Sequence, residues 1–491
     1  MDNPLLEAIA AHACRRPSTE AISTAHIALS YAEVMAEIQC LQDSMNGRVT
    51  GLLIDNSPAW VLLDLATQAT GVACVPLPEF FSDDQLRHII ATTGMDRIYT
   101  DQPARIKAIL GADRDTQIHI AGQRISCFVL QSHGRPTTTD KITFTSGTTA
   151  EPRGVCLDQA SMLKVATALA GALAAGPDDR FLSLLPLATL LENISVHAAL
   201  LAGGSVHLPG TQGSGVGVTY LDIERLCRCI SENRPGMLVL VPQMLKVLLG
   251  AVDNGWRAPD SLRFIAVGGA AVAPTLLQKA RDQGLPVYEG YGLSEACSVV
   301  SLNLPGNNRP GSVGKPLPHV RLRIANDGEI LVGGALLQSY LGEEDHTDTF
   351  WPTGDLGYLD DDGFLFLEGR KGNRMITAYG RNLSPEWPER ELLAQKAIAQ
   401  ALVLGDARPF NSALIVAMPG ATCAQVERAV AEANLRLPEY ARITRWHICT
   451  HAFTTGEGEL STNGRPRRAI IAAHYRAEIE QLYQEQKYGL L

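Results

Sequence analysis

Short apolar runs alternate with helical patterns through the first half of the chain. Gly51-Leu-Leu-Ile54 reads as a strand, Trp60 to Thr70 as a helix, and Val72-Ala-Cys-Val75 as the next strand. Strand, helix and strand within about 30 residues form a βαβ unit, whose parallel strands are joined by a helix crossing over the sheet. The pattern returns at Leu238-Val-Leu-Val241, Met244 to Val252, and Phe264-Ile-Ala-Val267. After Gly311 the texture changes to hairpin-like strands, with turns at Asn326-Asp-Gly328 and Asp361-Asp-Gly363. A basic, glycine-containing stretch, Gly369-Arg-Lys-Gly-Asn373, follows. Beyond it lies an α+β segment with helices predicted near Pro388 to Gln400 and Pro466 to Gln486. The expected fold is α/β: parallel sheets covered by helices and a β-rich subdomain over 1–371, then a small α+β C-terminal domain over 372–491.

A chain of 491 residues exceeds what one core accommodates, which agrees with this division. The formal charge of −10 and pI near 5.7 provide no general attraction for nucleic acid or an anionic membrane, so any anion site must be local. The start, Met1-Asp2-Asn3-Pro4, has no basic stretch ahead of an apolar core. The run from Ile194 to Leu201 is interrupted by His197 and falls short of the roughly 20 apolar residues that span a bilayer. No transmembrane segment, no nucleic-acid partner and a cytoplasmic location are therefore expected. The ten cysteines are widely scattered. Cys227 and Cys229 form a C-x-C with no second pair nearby, which is not a zinc pattern, and reduced structural thiols are expected.

Candidate chemistry concentrates in four segments. Ile142-Thr-Phe-Thr-Ser-Gly-Thr-Thr-Ala-Glu-Pro-Arg-Gly-Val155 runs from an apolar strand into a loop of hydroxyls and small residues. Such a loop brings backbone N–H groups and hydroxyls to phosphate oxygens, with Arg153 adding charge; it lacks the spacing of a Walker loop. Tyr288-Glu-Gly-Tyr-Gly-Leu-Ser-Glu295 offers an aromatic ring for a base, then a hydroxyl and a carboxylate suited to Mg²⁺ beside a triphosphate. Pro352-Thr-Gly-Asp355 sets a carboxylate after a tight turn, where it can accept from two ribose hydroxyls. Leu460-Ser-Thr-Asn-Gly-Arg-Pro-Arg-Arg468 presents cations. Each alone also reads as an ordinary turn, strand end or solvated helix start.

Together, in this order and spacing, the segments resemble the adenylate-forming (AMP-binding) superfamily of acyl- and aryl-CoA synthetases, luciferases and peptide-synthetase adenylation domains. The resemblance is closest to long-chain acyl-CoA synthetases, with support from Arg180 to Glu192, Ala401 to Val416, and the spacing from Arg370 to Pro385. It implies an AMP-forming acid–thiol ligase. ATP and a carboxylic acid substrate, with a fatty acid expected, give acyl-AMP and pyrophosphate. A mobile C-terminal domain then rotates, and coenzyme A or the phosphopantetheine thiol of an acyl carrier protein takes the acyl group.

By motif position, the resemblance assigns the phosphates to Thr145, Ser146, Gly147, Thr148, Thr149 and Arg153. It assigns adenine to Tyr291, the α-phosphate to Ser294, Mg²⁺ to Glu295, and the ribose to Asp355 and Arg370. Thr189, Gly268, Gly269 and Ala270 fall in the acyl pocket, whose wall at Gly268-Gly-Ala-Ala271 also reads as a packing turn. Gly372 falls at the hinge, and Arg465 at the position of the family's catalytic lysine.

Four positions depart from the pattern. Arg153 stands for the loop lysine, Thr189 for a histidine, Ser294 for a threonine, and Arg465 for the catalytic lysine. The last is the largest change, because a planar fork replaces a compact point charge. Two competing readings follow. An amino-acid adenylating enzyme needs an acidic partner for the substrate ammonium shortly after the Leu-Pro segment, where this chain has Asn193, an uncharged amide and a poor partner for a buried cation. A catalytically impaired nucleotide- or acyl-binding relic would account for Arg153 and Arg465, but not for the retained Glu295, Asp355 and Arg370.

Overall fold

The computed structural model describes residues 3–43, 45, 47–111, 115–131, 139–145, 152–217, 220–376, 382–461 and 464–484. The expected βαβ unit is present. Val49–Leu53 and Ala73–Pro76 are parallel neighbours joined by the helix Pro58–Thr70. Ser57 accepts from Trp60 N at the start of that helix, and Gly71, at φ 68°, ends it. Pro58 through Thr67 are all buried, so this helix lies inside the domain rather than on its surface. The second unit, Met237–Leu240, Pro242–Asp253 and Phe264–Val267, is likewise parallel.

These units belong to two sheets. One has eight strands, with Lys141–Thr145, Ala73–Pro76 and Val49–Leu53 near its middle, and Arg153–Leu157 next to the edge strand Ser339–Tyr340. The other has nine, in which Arg180–Leu182, Met237–Leu240, Phe264–Val267 and Val287–Leu293 run parallel and Ser298–Leu302 turns back antiparallel. One core joins the sheets: Leu52, Val155 and Leu157 of the first share a continuous apolar cluster with Leu182, Leu238 and Ile265 of the second. The β-rich subdomain is a four-stranded antiparallel sheet. Its turns at 326–328 and 361–363 fall between strands, as expected.

The C-terminal part has its own core. Ile398–Leu404, Asn411–Ala417 and Ile443–Ile448 make a three-stranded sheet. Alternate residues face opposite sides. Ala401, Val403, Ala413 and Ile415 meet the helices Glu386–Leu393 and Cys423–Asn434, while Leu402, Leu414 and Val416 meet Arg468–His474 and Arg476–Gln484. Two expectations are corrected here. The helix predicted to reach Gln400 ends at Leu393, and Ile398–Leu404 is a strand. Its alanine-rich pattern favours helix locally, but pairing with Asn411–Ala417 overrides that preference. The helix predicted over 466–486 is broken at Tyr475, whose ring packs against His447 and Phe453. No helix among the described residues is long and apolar enough to cross a membrane.

Candidate active site

Val287–Leu293 carries the tyrosine, serine and glutamate segment between a parallel and an antiparallel neighbour. The antiparallel approach is close: a Cβ on Gly292 would lie 1.7 Å from the Ser298 carbonyl oxygen, so only glycine fits. The reversal uses Cys297 and Ser298 at φ 53° and 100°, a region that non-glycine residues rarely occupy. This turn leaves Ser294 and Glu295 half-buried on the wall of a cleft.

Tyr291 is buried among Ala296, Val300, Val313 and Leu365. Its hydroxyl donates to Asp355 Oδ2 at 2.7 Å. Burial and the Asp355 carboxylate hold the phenol well above its ordinary pKa. Arg370 lies directly opposite Asp355 across two antiparallel strands, and its Nε meets Oδ1 at 2.7 Å. Asp355 lies within the strand Trp351–Leu359 and not after the tight turn expected from the sequence; the strand is locally irregular, with Gly354 at φ 71° and Asp355 N donating to Thr353 Oγ1 at 3.1 Å. An ionised carboxylate has about four acceptor sites, so these two contacts leave lone pairs for further donors.

The structure adds a residue that the motifs did not include. Tyr340 donates its hydroxyl to Glu295 Oε1 at 2.8 Å, and the Arg153 guanidinium lies 3.6 Å from the centre of its ring. Arg153 also meets Glu343 at 2.7 Å. Tyr340 stands on an edge strand paired with Val155 and Cys156, far from Glu295 in sequence, so no local pattern announces it. Glu295 Oε2 has no hydrogen-bond donor among the described residues. One or two carboxylates, completed by phosphates and water, are what Mg²⁺ takes, and Glu295 fits that donor set.

Arg465 enters the cleft from the C-terminal part. Its Nη2 and Nε donate to the Gly269 carbonyl oxygen at 3.1 and 3.3 Å. Desolvation in the cleft and the neighbouring Arg370 lower its pKa, whereas Asp355, Tyr291 and Glu295 raise it; the side chain still keeps an exposed face. The cation lines the same cleft as the groups that the sequence motifs brought together, and as an arginine it stays charged. Gly269, at φ 84°, turns its carbonyl toward Arg465, and Gly268 and Ala270 line the cleft beside it.

The remaining expected positions divide. Thr145 and Arg153 lie opposite each other at the mouth of the loop and line the cleft. Ser146, Gly147, Thr148 and Thr149 lie outside the described residues. Thr189 lines the cleft, with its hydroxyl bonded to Pro186 O at 2.7 Å. Gly372 lies in the short turn Lys371–Asn373, where an added Cβ would meet nothing within 4 Å. The backbone there imposes no need for glycine in this orientation. Asn193 points elsewhere. The helix Leu190–Leu201 presents Leu191, Ser195, Ala198 and Ala199 to the cleft, and it turns Asn193 and His197 into the core. There Asp64 meets Lys141 Nζ at 2.7 Å, His197 Nε2 at 2.8 Å and Asn193 Nδ2 at 3.0 Å, a buried and mutually satisfied network. Asn193 is thus a core residue, not a substrate contact.

The cleft measures about 2750 Å³ and is continuous between both parts of the chain. Phe181, Met237 and Phe264, neighbours on adjacent strands, line it together with Leu173, Leu184 and Leu191.

Adenylate-forming architecture is what this fold and cleft describe, and sequence models agree. The model described as AMP-binding enzyme fits residues 9–340, and that of the AMP-binding enzyme C-terminal domain fits residues 373–487. The chain belongs to the AMP-binding enzyme family. Within it, the chain is similar to the long-chain-fatty-acid–CoA ligase FadD15 of Mycobacterium bovis, 28% identical over 87% of this chain and 86% of that protein. It is also similar to the 2-succinylbenzoate–CoA ligase of Bacillus subtilis, 28% identical over 76% of this chain and 77% of that one. The fold matches the anthranilate CoA ligase AuaEII in complex with anthranoyl-AMP, with a TM-score of 0.82, 18% identity and coverage of 97% and 98%. It also matches the Bacillus subtilis O-succinylbenzoate coenzyme A synthetase in complex with ATP and magnesium ion, with a TM-score of 0.75, 24% identity and coverage of 96% and 99%.

Proposed function

We propose that this protein is an AMP-forming acid–thiol ligase that activates an apolar carboxylic acid, of fatty-acyl type, and transfers it to coenzyme A. The observation that carries this reading is one cleft lined by Arg465, Tyr291, Glu295, Asp355 and Arg370 together with an apolar wall, with Arg465 held on the Gly269 carbonyl oxygen. In the first step a carboxylate oxygen attacks the α-phosphorus of ATP, the bond to pyrophosphate breaks, and acyl-AMP forms. Two anions approach each other, so a fixed cation lowers the barrier by stabilising the shared negative charge. Arg465 holds that position, and Ser294 offers a hydroxyl donor to the α-phosphate.

Asp355 accepts from the ribose hydroxyls with lone pairs left by Tyr291 and Arg370, and those two partners fix its orientation. Glu295 would hold Mg²⁺, which when bound neutralises phosphate charge. Thr145 and Arg153 face the phosphates; Arg153 reaches them by giving up an exposed pair with Glu343, which costs little. The apolar wall of Phe181, Leu184, Met237 and Phe264 supports an aliphatic or aryl chain, and burying each methylene contributes about 0.8 kcal/mol. In the second step the thiol attacks the acyl carbon and AMP leaves. The relatives named as CoA ligases support coenzyme A as the acceptor.

The test is product mass spectrometry after incubation with ATP, Mg²⁺ and a panel of fatty, aryl and amino acids, with and without coenzyme A. Acyl-AMP from an apolar acid, converted to acyl-CoA when coenzyme A is added, is expected. Acyl-AMP from amino acids alone would overturn the substrate class. Acyl-AMP that only an acyl carrier protein discharges would overturn the acceptor.

A further inference from the structure

Arg465 acts only where the C-terminal part holds it, and the chain connection at 371–375 is a single covalent tether. A second point of attachment is visible. Lys246, on the helix Pro242–Asp253, donates from Nζ to the carbonyl oxygens of Leu393 at 2.9 Å, Gln395 at 2.7 Å and Ile398 at 2.5 Å. An ammonium has three protons, and here each has an acceptor. Leu393 ends the helix Glu386–Leu393, where carbonyls lack helical partners and the helix dipole favours a cation; Gln395 lies in the turn after it, and Ile398 begins the next strand.

Burial lowers the Lys246 pKa to about 8. A half-buried ammonium is costly without acceptors, so this charge is accommodated only while the three carbonyls are in place. Seven residues along the same helix, Asp253 meets Lys396 of the same turn at 2.8 Å. Lys396 is 81% exposed, so that pair contributes little. Lys246 is the stronger of the two contacts.

The latched helix is hydrogen-bonded to the segment that carries Arg465. Glu389, one turn before Leu393, is buried and accepts from Arg468 at 2.7 Å and from Val403 N at 2.6 Å. Arg468 also donates to the Val403 carbonyl, and it lies three residues beyond Arg465. The strand Ile398–Leu404, which begins at the latch, is tied by Gln400 to Phe453 in both directions, at 2.7 and 3.1 Å. From these contacts we propose that Lys246 is an interdomain latch, a positioning residue that holds Arg465 in register with the adenylation site.

The proposal rests on the ligase reading, and the experiment separates the two. The exposed native thiols Cys40 and Cys423, one in each part, take a donor and an acceptor fluorophore once Cys14 is replaced by serine. Lys246→Met keeps most of the apolar stem and removes the charge. It is expected to broaden the energy-transfer distribution relative to the labelled parent. The single-turnover rate of acyl-AMP formation should fall about ten- to a hundredfold, as expected for a small misplacement of a catalytic group. ATP affinity should hold, since Tyr291, Asp355 and Arg370 are untouched, and Lys246→Arg should restore part of the rate. If Lys246→Met does not fold, Lys246→Gln, with one donor group kept, should give the same changes in smaller degree. An unchanged energy-transfer distribution in a folded variant overturns the latch, as does an unchanged rate. A parent protein that forms no acyl-AMP from any acid overturns the ligase reading, and the energy-transfer measurement still decides the latch.

Discussion

Glu295 and Asp355 stand out in the sequence because each lies in a short motif, whereas Tyr340, which hydrogen-bonds to Glu295, does not. Its hydrogen bond joins an edge strand of one sheet to the turn after Val287–Leu293 of the other, and only the folded chain brings them together. Tyr340→Phe removes one hydrogen bond to a charged acceptor, worth about 1.5–3 kcal/mol, and leaves the ring under Arg153. The expected result is roughly a ten- to hundredfold loss in the rate of pyrophosphate release, with the melting temperature lowered by no more than a few degrees. A wild-type rate would show that Tyr340 does not orient the carboxylate. Glu192 tests burial instead. It is fully buried, neither oxygen has a hydrogen bond of normal geometry, and burial raises its pKa to about 8 despite the nearby Ser183 hydroxyl and the backbone of Leu184 and Leu185. The folded state therefore holds a proton that the unfolded state releases near 4.5. Stability is full below that value and is lost as pH rises through about 8. Glu192→Gln should flatten the decline in melting temperature between about pH 5 and about pH 9. It should not abolish the decline, because buried Glu289 is also raised to about 8. An unchanged slope would mean that Glu192 is ionised in the fold.

At the scale of elements, the period-two and helical patterns located both βαβ units and both hairpin turns. They failed where tertiary pairing opposed local preference, at Ile398–Leu404. The glycines around the site show the difference between a turn and a close approach. Gly354 has positive φ but open space around its missing Cβ, whereas Gly292 has the Ser298 carbonyl 1.7 Å from it. Gly354→Ala should cost about 1–2 kcal/mol, the strain of a left-handed residue. Gly292→Ala must push two strands apart beneath Ser294 and Glu295, and it should cost clearly more stability and most of the activity. Thermal denaturation of the two variants checks the order, and equal losses would contradict the register of Val287–Leu293 against Ser298–Leu302.

At the scale of the whole molecule, the sequence motifs named the groups but not how they meet. Arg465 and Tyr291 share a cleft because one part of the chain folds over the other, and Asn193 leaves it because the helical period turns that position into the core. The position of Arg465 makes a direct prediction. Arg465→Ala should slow acyl-AMP formation by about 10²–10³, the range for removing a preorganised charge contact. Arg465→Lys, with a shorter reach toward Gly269, should retain most of the rate, and thiol transfer from supplied acyl-AMP should fall less than acyl-AMP formation. Single-turnover rates for the two steps check this. The central claim, that this cleft joins a carboxylic acid to AMP, is tested most directly by exchange of labelled pyrophosphate into ATP with and without a fatty acid. The account predicts exchange that requires both the acid and Mg²⁺ and that is lost in Glu295→Gln. Exchange independent of acid, or none with any apolar acid despite measurable ATP binding, would contradict it.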